Sequence, residues 1–122
     1  MAAPNIVNVT SIYGKTMGAA LGTSANTDIL TCPSDKVLKI NSIIVSNVDG
    51  TNNADVTAQF YNASDTTSYH LAKTITIPAN STLVVLGKDA PIYLEEGDKI
   101  QAQASAAGDL EMIISYEELD DA

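Results

Sequence analysis

Apolar residues recur at every second position along most of the chain, most regularly between residues 91 and 117. Ile92 and Leu94 precede a polar turn, Glu95-Glu96-Gly97-Asp98, after which Ile100, Ala102 and Ala104 alternate with polar or small residues. A second turn, Ala107-Gly108-Asp109, leads into Leu110, Met112, Ile114 and Tyr116. Successive side chains of a strand point to opposite faces, so this spacing predicts a three-stranded meander with one buried face. A hairpin alone is unstable in water, so the upstream chain must supply an opposing sheet.

The upstream segments carry the same period. Residues 54–61 put Ala54, Val56, Ala58 and Phe60 on one side, and residues 68–77 put Tyr69, Leu71, Ile75 and Ile77 on one face. Residues 36–48 hold Val37, Leu38, Ile40, Ile43, Ile44, Val45 and Val48 on both parities, the pattern of a central strand covered on two sides. Pro33-Ser34-Asp35 and Asp49-Gly50 mark turns. Gly14, Gly18 and Gly22 weaken any helix over residues 15–23, at up to about 1 kcal/mol each relative to alanine, so a short strand or irregular turn is expected there. The whole pattern predicts about eight or nine short strands, as in an antiparallel sandwich or barrel.

A chain of 122 residues closes a single core, which we divide into an extended arm or edge strand over residues 1–14, a β domain over 15–117 and an acidic tail over 118–122. Charge narrows the function. Fifteen Asp and Glu against six Lys and Arg give a net charge of −9 and a pI near 4.1, which argues against binding nucleic-acid phosphates or an anionic membrane. The acidity serves colloidal solubility. Cys32 is the single cysteine, which rules out an intrachain disulfide, and no Cys/His spacing marks a metal site. The chain starts without a basic-then-apolar leader and has no apolar run of roughly 20 residues, so the expectation is a soluble protein made in the cytoplasm.

Candidate chemistry is sparse. His70 is the only histidine and has no neighbouring nucleophile turn; Cys32 stands at a strand end, where a small packing residue is common; Glu95 and Glu96 are adjacent, so a strand would send them to opposite faces. The oxygen-rich cluster Asp49-Gly50-Thr51-Asn52-Asn53 lacks the order of a helical calcium loop and reads as a solvated hairpin loop. We expect no catalytic residue, no cofactor and no metal.

Three stretches have a more specific likeness: residues 1–10, opening Met1-Ala2-Ala3-Pro4-Asn5-Ile6-Val7; residues 45–56, around Asn47-Val48-Asp49-Gly50-Thr51-Asn52; and residues 93–110, around Glu95-Glu96-Gly97-Asp98-Lys99. In these the chain resembles a family of small virion structural proteins of tailed bacteriophages, especially marine phages of cyanobacteria and related hosts. The resemblance implies an all-β antiparallel sandwich of jelly-roll type, with about eight strands, and a non-enzymatic role in the particle. The leading expectation is a capsid decoration (cement) protein that docks on the major capsid protein at the outer surface of the virion, as a homotrimer. The arm residues Ile6, Val7, Val9, Ile12 and Tyr13 are the candidate interface. A neck, tail or fibre component, or a carbohydrate-binding module for host attachment, is the alternative.

Overall fold

The alternation resolves into nine strands among residues 11–120, the residues that the computed structural model describes. They are β1 (Ser11–Ala20), β2 (Asp28–Thr31), β3 (Lys36–Asn47), β4 (Ala54–Asn62), β5 (Thr67–Ile77), β6 (Thr82–Leu86), β7 (Ile92–Leu94), β8 (Lys99–Ala104) and β9 (Leu110–Asp120). Every pairing is antiparallel. The first sheet runs β1-β9-β3-β6, with β7 also on β3, and the second runs β2-β8-β4-β5. The protein is therefore all-β and sandwich-like, with one hydrophobic cluster drawn from both sheets.

That cluster is asymmetric. The first sheet contributes Leu38, Ile40, Ile43, Val45, Leu94, Leu110, Met112 and Ile114, whereas the second contributes Ala54, Val56, Ala58, Ala102 and Ala104 beside Ile77 and Ile100. Large residues on one inner face meet small ones on the other, which lets two layers about 10 Å apart interdigitate without voids.

Residues 91–117 do not form the expected meander. β7 and β9 both pair with β3 in the first sheet, while β8 lies in the second between β2 and β4. The apolar face of each strand points into the shared core as predicted, but period alone does not say from which side. The turn after β7 makes the crossing. Asp98 is buried there, accepting the Ala63 N–H at Oδ1 and the Glu95 N–H at Oδ2, each at 2.9 Å. Gly97 holds a φ of 86°, and a Cβ there would lie 3.2 Å from that of Ala63, so conformation and space both favour glycine.

β3 is covered on two sides, as expected, only at its start, where Val37 and Leu38 on opposite faces are both buried; beyond that the pattern has another cause. Ile40 stands opposite Tyr116 and Ser42 opposite Ser115, so Asn41 is an extra residue. This bulge switches the inward parity from Leu38 and Ile40 to Ile43, Val45 and Asn47, so from Leu38 onward one buried face imitates two. Buried Asn47 anchors the following loop: its Nδ2 donates to the carbonyls of Asn52 (3.0 Å) and Ile77 (2.9 Å), and its Oδ1 accepts the Asp49 N–H.

Register shifts also break β5, between its pairings at Ile75, Ala72 and His70, with Thr74 at a φ of 47°. Of its predicted inward set only Ile77 is buried and Leu71 packs partly; Tyr69 and Ile75 are exposed on this edge strand. At the termini, β1 runs unbroken across residue 14, paired with β9 along its whole length, and β9 continues through Glu118 to Asp120. Glu118 pairs with Lys15 (3.2 Å) and Lys36 (3.9 Å), and Asp120 with Lys36 (2.9 Å).

Candidate interaction surface

The most distinctive surface is the outward face of the first sheet. Directly opposed residues share a face, so the register places Gly18, Ile113, Ile44 and Val84 in one row across β1, β9, β3 and β6. Ile113 is 41% exposed and Val84 60%. The row on one side is Thr16, Ser115 and Ser42, and the row on the other is Ala20, Glu111, Ser46 and Thr82. Hydroxyls in these rows meet across strands, Thr16 with Ser115 at 3.4 Å and Ser46 with Thr82 at 2.9 Å. Glu111 is the single charge among these residues, on a chain of net charge −9.

At a strand spacing of about 4.8 Å, the three rows span roughly 400 Å², of which the central row, about a third, is apolar. Such a patch is charge-poor at its centre with a polar rim, the composition that separates the core of a protein interface from ordinary surface. On β1, Gly14 and Gly18 flatten it further. Neither has a positive φ, and a Cβ would meet nothing within 4 Å at Gly14 and only the Met112 carbonyl oxygen, at 3.8 Å, at Gly18. The chain's own packing therefore does not require these glycines, and a glycine inside a strand often marks close approach by another backbone or a ligand.

Of the arm residues expected to form an interface, Ile6, Val7 and Val9 lie outside the described residues. Ile12 and Tyr13 are both on β1 and both exposed, at 60% and 48%. They are not brought to one surface: Ile12 opposes Leu119 on the outward face, and Tyr13 opposes Glu118 on the other. The residues that sequence reasoning missed are Ile44, Ile113 and Val84. Each is the middle of an apolar triplet, Ile43-Ile44-Val45, Met112-Ile113-Ile114 and Leu83-Val84-Val85, where strict alternation asks for a polar residue. Those three violations were the available signal.

The candidate chemical groups are spread apart in function. Cys32 is buried, its thiol donating to the Lys36 carbonyl at 3.2 Å. Burial, reinforced by the charges of Asp98, Glu118 and Glu96, pushes its pKa up to about 11, so it stays a thiol at neutral pH and is a poor nucleophile. His70 is exposed on β5, 3.2 Å from the Gln59 amide. The Glu95 N–H serves the Asp98 carboxylate, and Glu96 Oε1 accepts the Asp35 N–H at 3.3 Å. Asp49 caps its own loop: Oδ1 accepts the N–H groups of Thr51 (2.8 Å) and Asn52 (3.3 Å), bonds that hold its carboxyl below the usual range. Among the described residues no group of three or more His, Cys, Asp or Glu is placed to hold a metal ion.

No protein-family model matches the chain, and no curated protein matches it.

Proposed function

We propose that the protein is a non-enzymatic structural component of a bacteriophage virion, a decoration protein that docks on the outer capsid surface through the outward face of β1, β9, β3 and β6. The observation that carries this reading is that face: a charge-poor surface whose central row sets exposed Ile113 and Val84 beside half-buried Ile44, on an otherwise acidic domain. The likeness of residues 1–10, 45–56 and 93–110 to small virion proteins points to the same role. A standard interface takes about 800 Å² from each partner, so a patch of roughly half that size needs reinforcement. Assembly as a homotrimer supplies it, because three linked patches bind with an avidity that one lacks. We read the sandwich as a jelly roll on the same footing. The chain passes between sheets from β1 to β2, β3 and β4, and the order β1-β9-β3-β6 over β2-β8-β4-β5 supports an eight-strand wrap with β7 as an addition.

Cryo-microscopy of virions carrying this chain tests the reading. The expected result is density over the capsid facets, in numbers that follow the coat subunits. Density only at a unique vertex or along the tail would overturn it.

A further inference from the structure

Where the edge of the second sheet meets β7, a cleft of about 200 Å³ opens between the layers. It is lined by apolar Phe60, Leu71 and Ile92 together with Tyr69, His70 and Tyr93. Tyr69 and Tyr93 are each about half exposed, at 49% and 46%. Two of these rings are fixed by bonds to neighbours: the Tyr69 hydroxyl donates to Asp65 Oδ2 at 2.8 Å, and His70 Nε2 lies 3.2 Å from Gln59 Nε2. Rings already held by such bonds cost little to order when a ligand enters.

We propose that this cleft binds a single neutral sugar ring. The volume falls below the roughly 300 Å³ at which drug-sized pockets begin, so the cleft itself holds about one ring. The C–H faces of a pyranose suit the exposed tyrosine rings, and its hydroxyls suit the imidazole and phenol groups, which both donate and accept hydrogen bonds. Asp65 is committed to the protein, with Oδ2 accepting from Tyr69 and Oδ1 from the Thr67 N–H at 3.1 Å. The cleft therefore offers no free carboxylate to a cation, and the net charge of −9 disfavours an anion. Neutral polyhydroxyl chemistry is what remains. The inference does not depend on docking to a capsid.

The test is an NMR titration of the full chain with methyl glucopyranoside, galactopyranoside and mannopyranoside, up to about 100 mM, since one ring in a small cleft binds at about the millimolar level. At least one pyranoside is expected to shift the amides of Tyr69, His70 and Tyr93 saturably. Tyr69→Ala and Tyr93→Ala should each weaken binding about tenfold or more while spectral dispersion shows an intact fold. Tyr69→Phe, which keeps the ring and loses the bond to Asp65, should weaken it less, and Tyr61→Ala should leave it unchanged. Absence of saturable shifts, or equal binding by the two alanine variants, overturns the proposal. So does tetramethylammonium shifting the same amides when no pyranoside does, because the cleft would then be a cation cage.

Discussion

On the outward face of the second sheet, polar side chains bond to one another from strand to strand. Lys99 Nζ donates to Asp28 Oδ2 (2.8 Å), Gln101 Nε2 to Asp28 Oδ1 (3.0 Å), Ser68 Oγ to Gln101 Oε1 (2.8 Å) and Thr76 Oγ1 to Asp55 Oδ1 (2.7 Å). Lys99 also sits over the Tyr61 ring at 5.3 Å. On the outward face of the first sheet the equivalent central row is Gly18, Ile113, Ile44 and Val84, with no bonds to make. One face uses its chemistry internally and contributes to the fold; the other leaves Ile113 and Val84 exposed. Substitutions on the two faces should therefore fail in different assays. The largest effect is expected from Ile113→Glu with Val84→Glu, which places two charges at the centre of the proposed docking patch. Binding to capsids stripped of the protein should fall at least about a hundredfold, on the order of 3 kcal/mol, while unfolding free energy stays within about 0.5 kcal/mol. Undiminished capsid binding would show that the comparison names the wrong face.

The mirror experiment is Gln101→Ala. Gln101 is buried, and its removal takes one partner each from Asp28 and Ser68, so the fold should lose about 2 kcal/mol in urea unfolding with no change in capsid binding. A smaller effect of opposite sign is expected at the glycines of β1. Gly14→Ala and Gly18→Ala should each stabilise the fold by about 0.5–1 kcal/mol, because alanine loses less entropy in a strand and the added methyl meets no clash. If a partner approaches β1 closely, Gly18→Ala will dock less well than the wild type despite its gain in stability. A stabilised Gly18→Ala chain that docks equally well would show that the glycine does not serve the interface.

The strand content and the inward residues of β4, β8 and β9 could be read from the chain because period 2 reports directly which side chains share a face. Layer membership could not. Whether β8 pairs with its sequence neighbours or crosses to the other sheet depends on the Asp98 bonds to Ala63 and Glu95, and these join positions up to 35 residues apart. Bulges were hidden for a related reason. An extra residue such as Asn41 shows only as a slip in parity, which the one-dimensional pattern renders as a strand buried on both sides. The candidate surface was half legible: the apolar middle residues of three triplets stood out of phase, but only register aligns Ile113, Ile44 and Val84 in one row. The cleft was not legible at all, since Phe60, Tyr69 and Ile92 come from strands of different sheets.

The smallest expected effect is on pH dependence, and it belongs to the polar face. The hydrogen bond from Lys99, with a second from Gln101, holds the Asp28 carboxyl below its ordinary range. A carboxyl with a depressed folded-state pKa binds its proton less readily folded than unfolded. Its contribution is fully present above the unfolded value, near pH 4, and is lost as pH falls below that toward the folded value. Asp28 is nearly half exposed, so solvent screening keeps the contribution small. Asp49 titrates in the same direction, so the informative quantity is the difference in unfolding free energy between the wild type and Asp28→Asn. That difference should be constant from about pH 5 to 8 and shrink below about pH 4. It should also shrink in high salt, which screens an exposed ion pair, whereas docking through an apolar row should hold or strengthen in a salting-out salt such as sulfate. If salt weakened docking and left the Asp28→Asn difference intact, charge would be acting on the face assigned to apolar contact, and the contrast between the two sheets would be reversed.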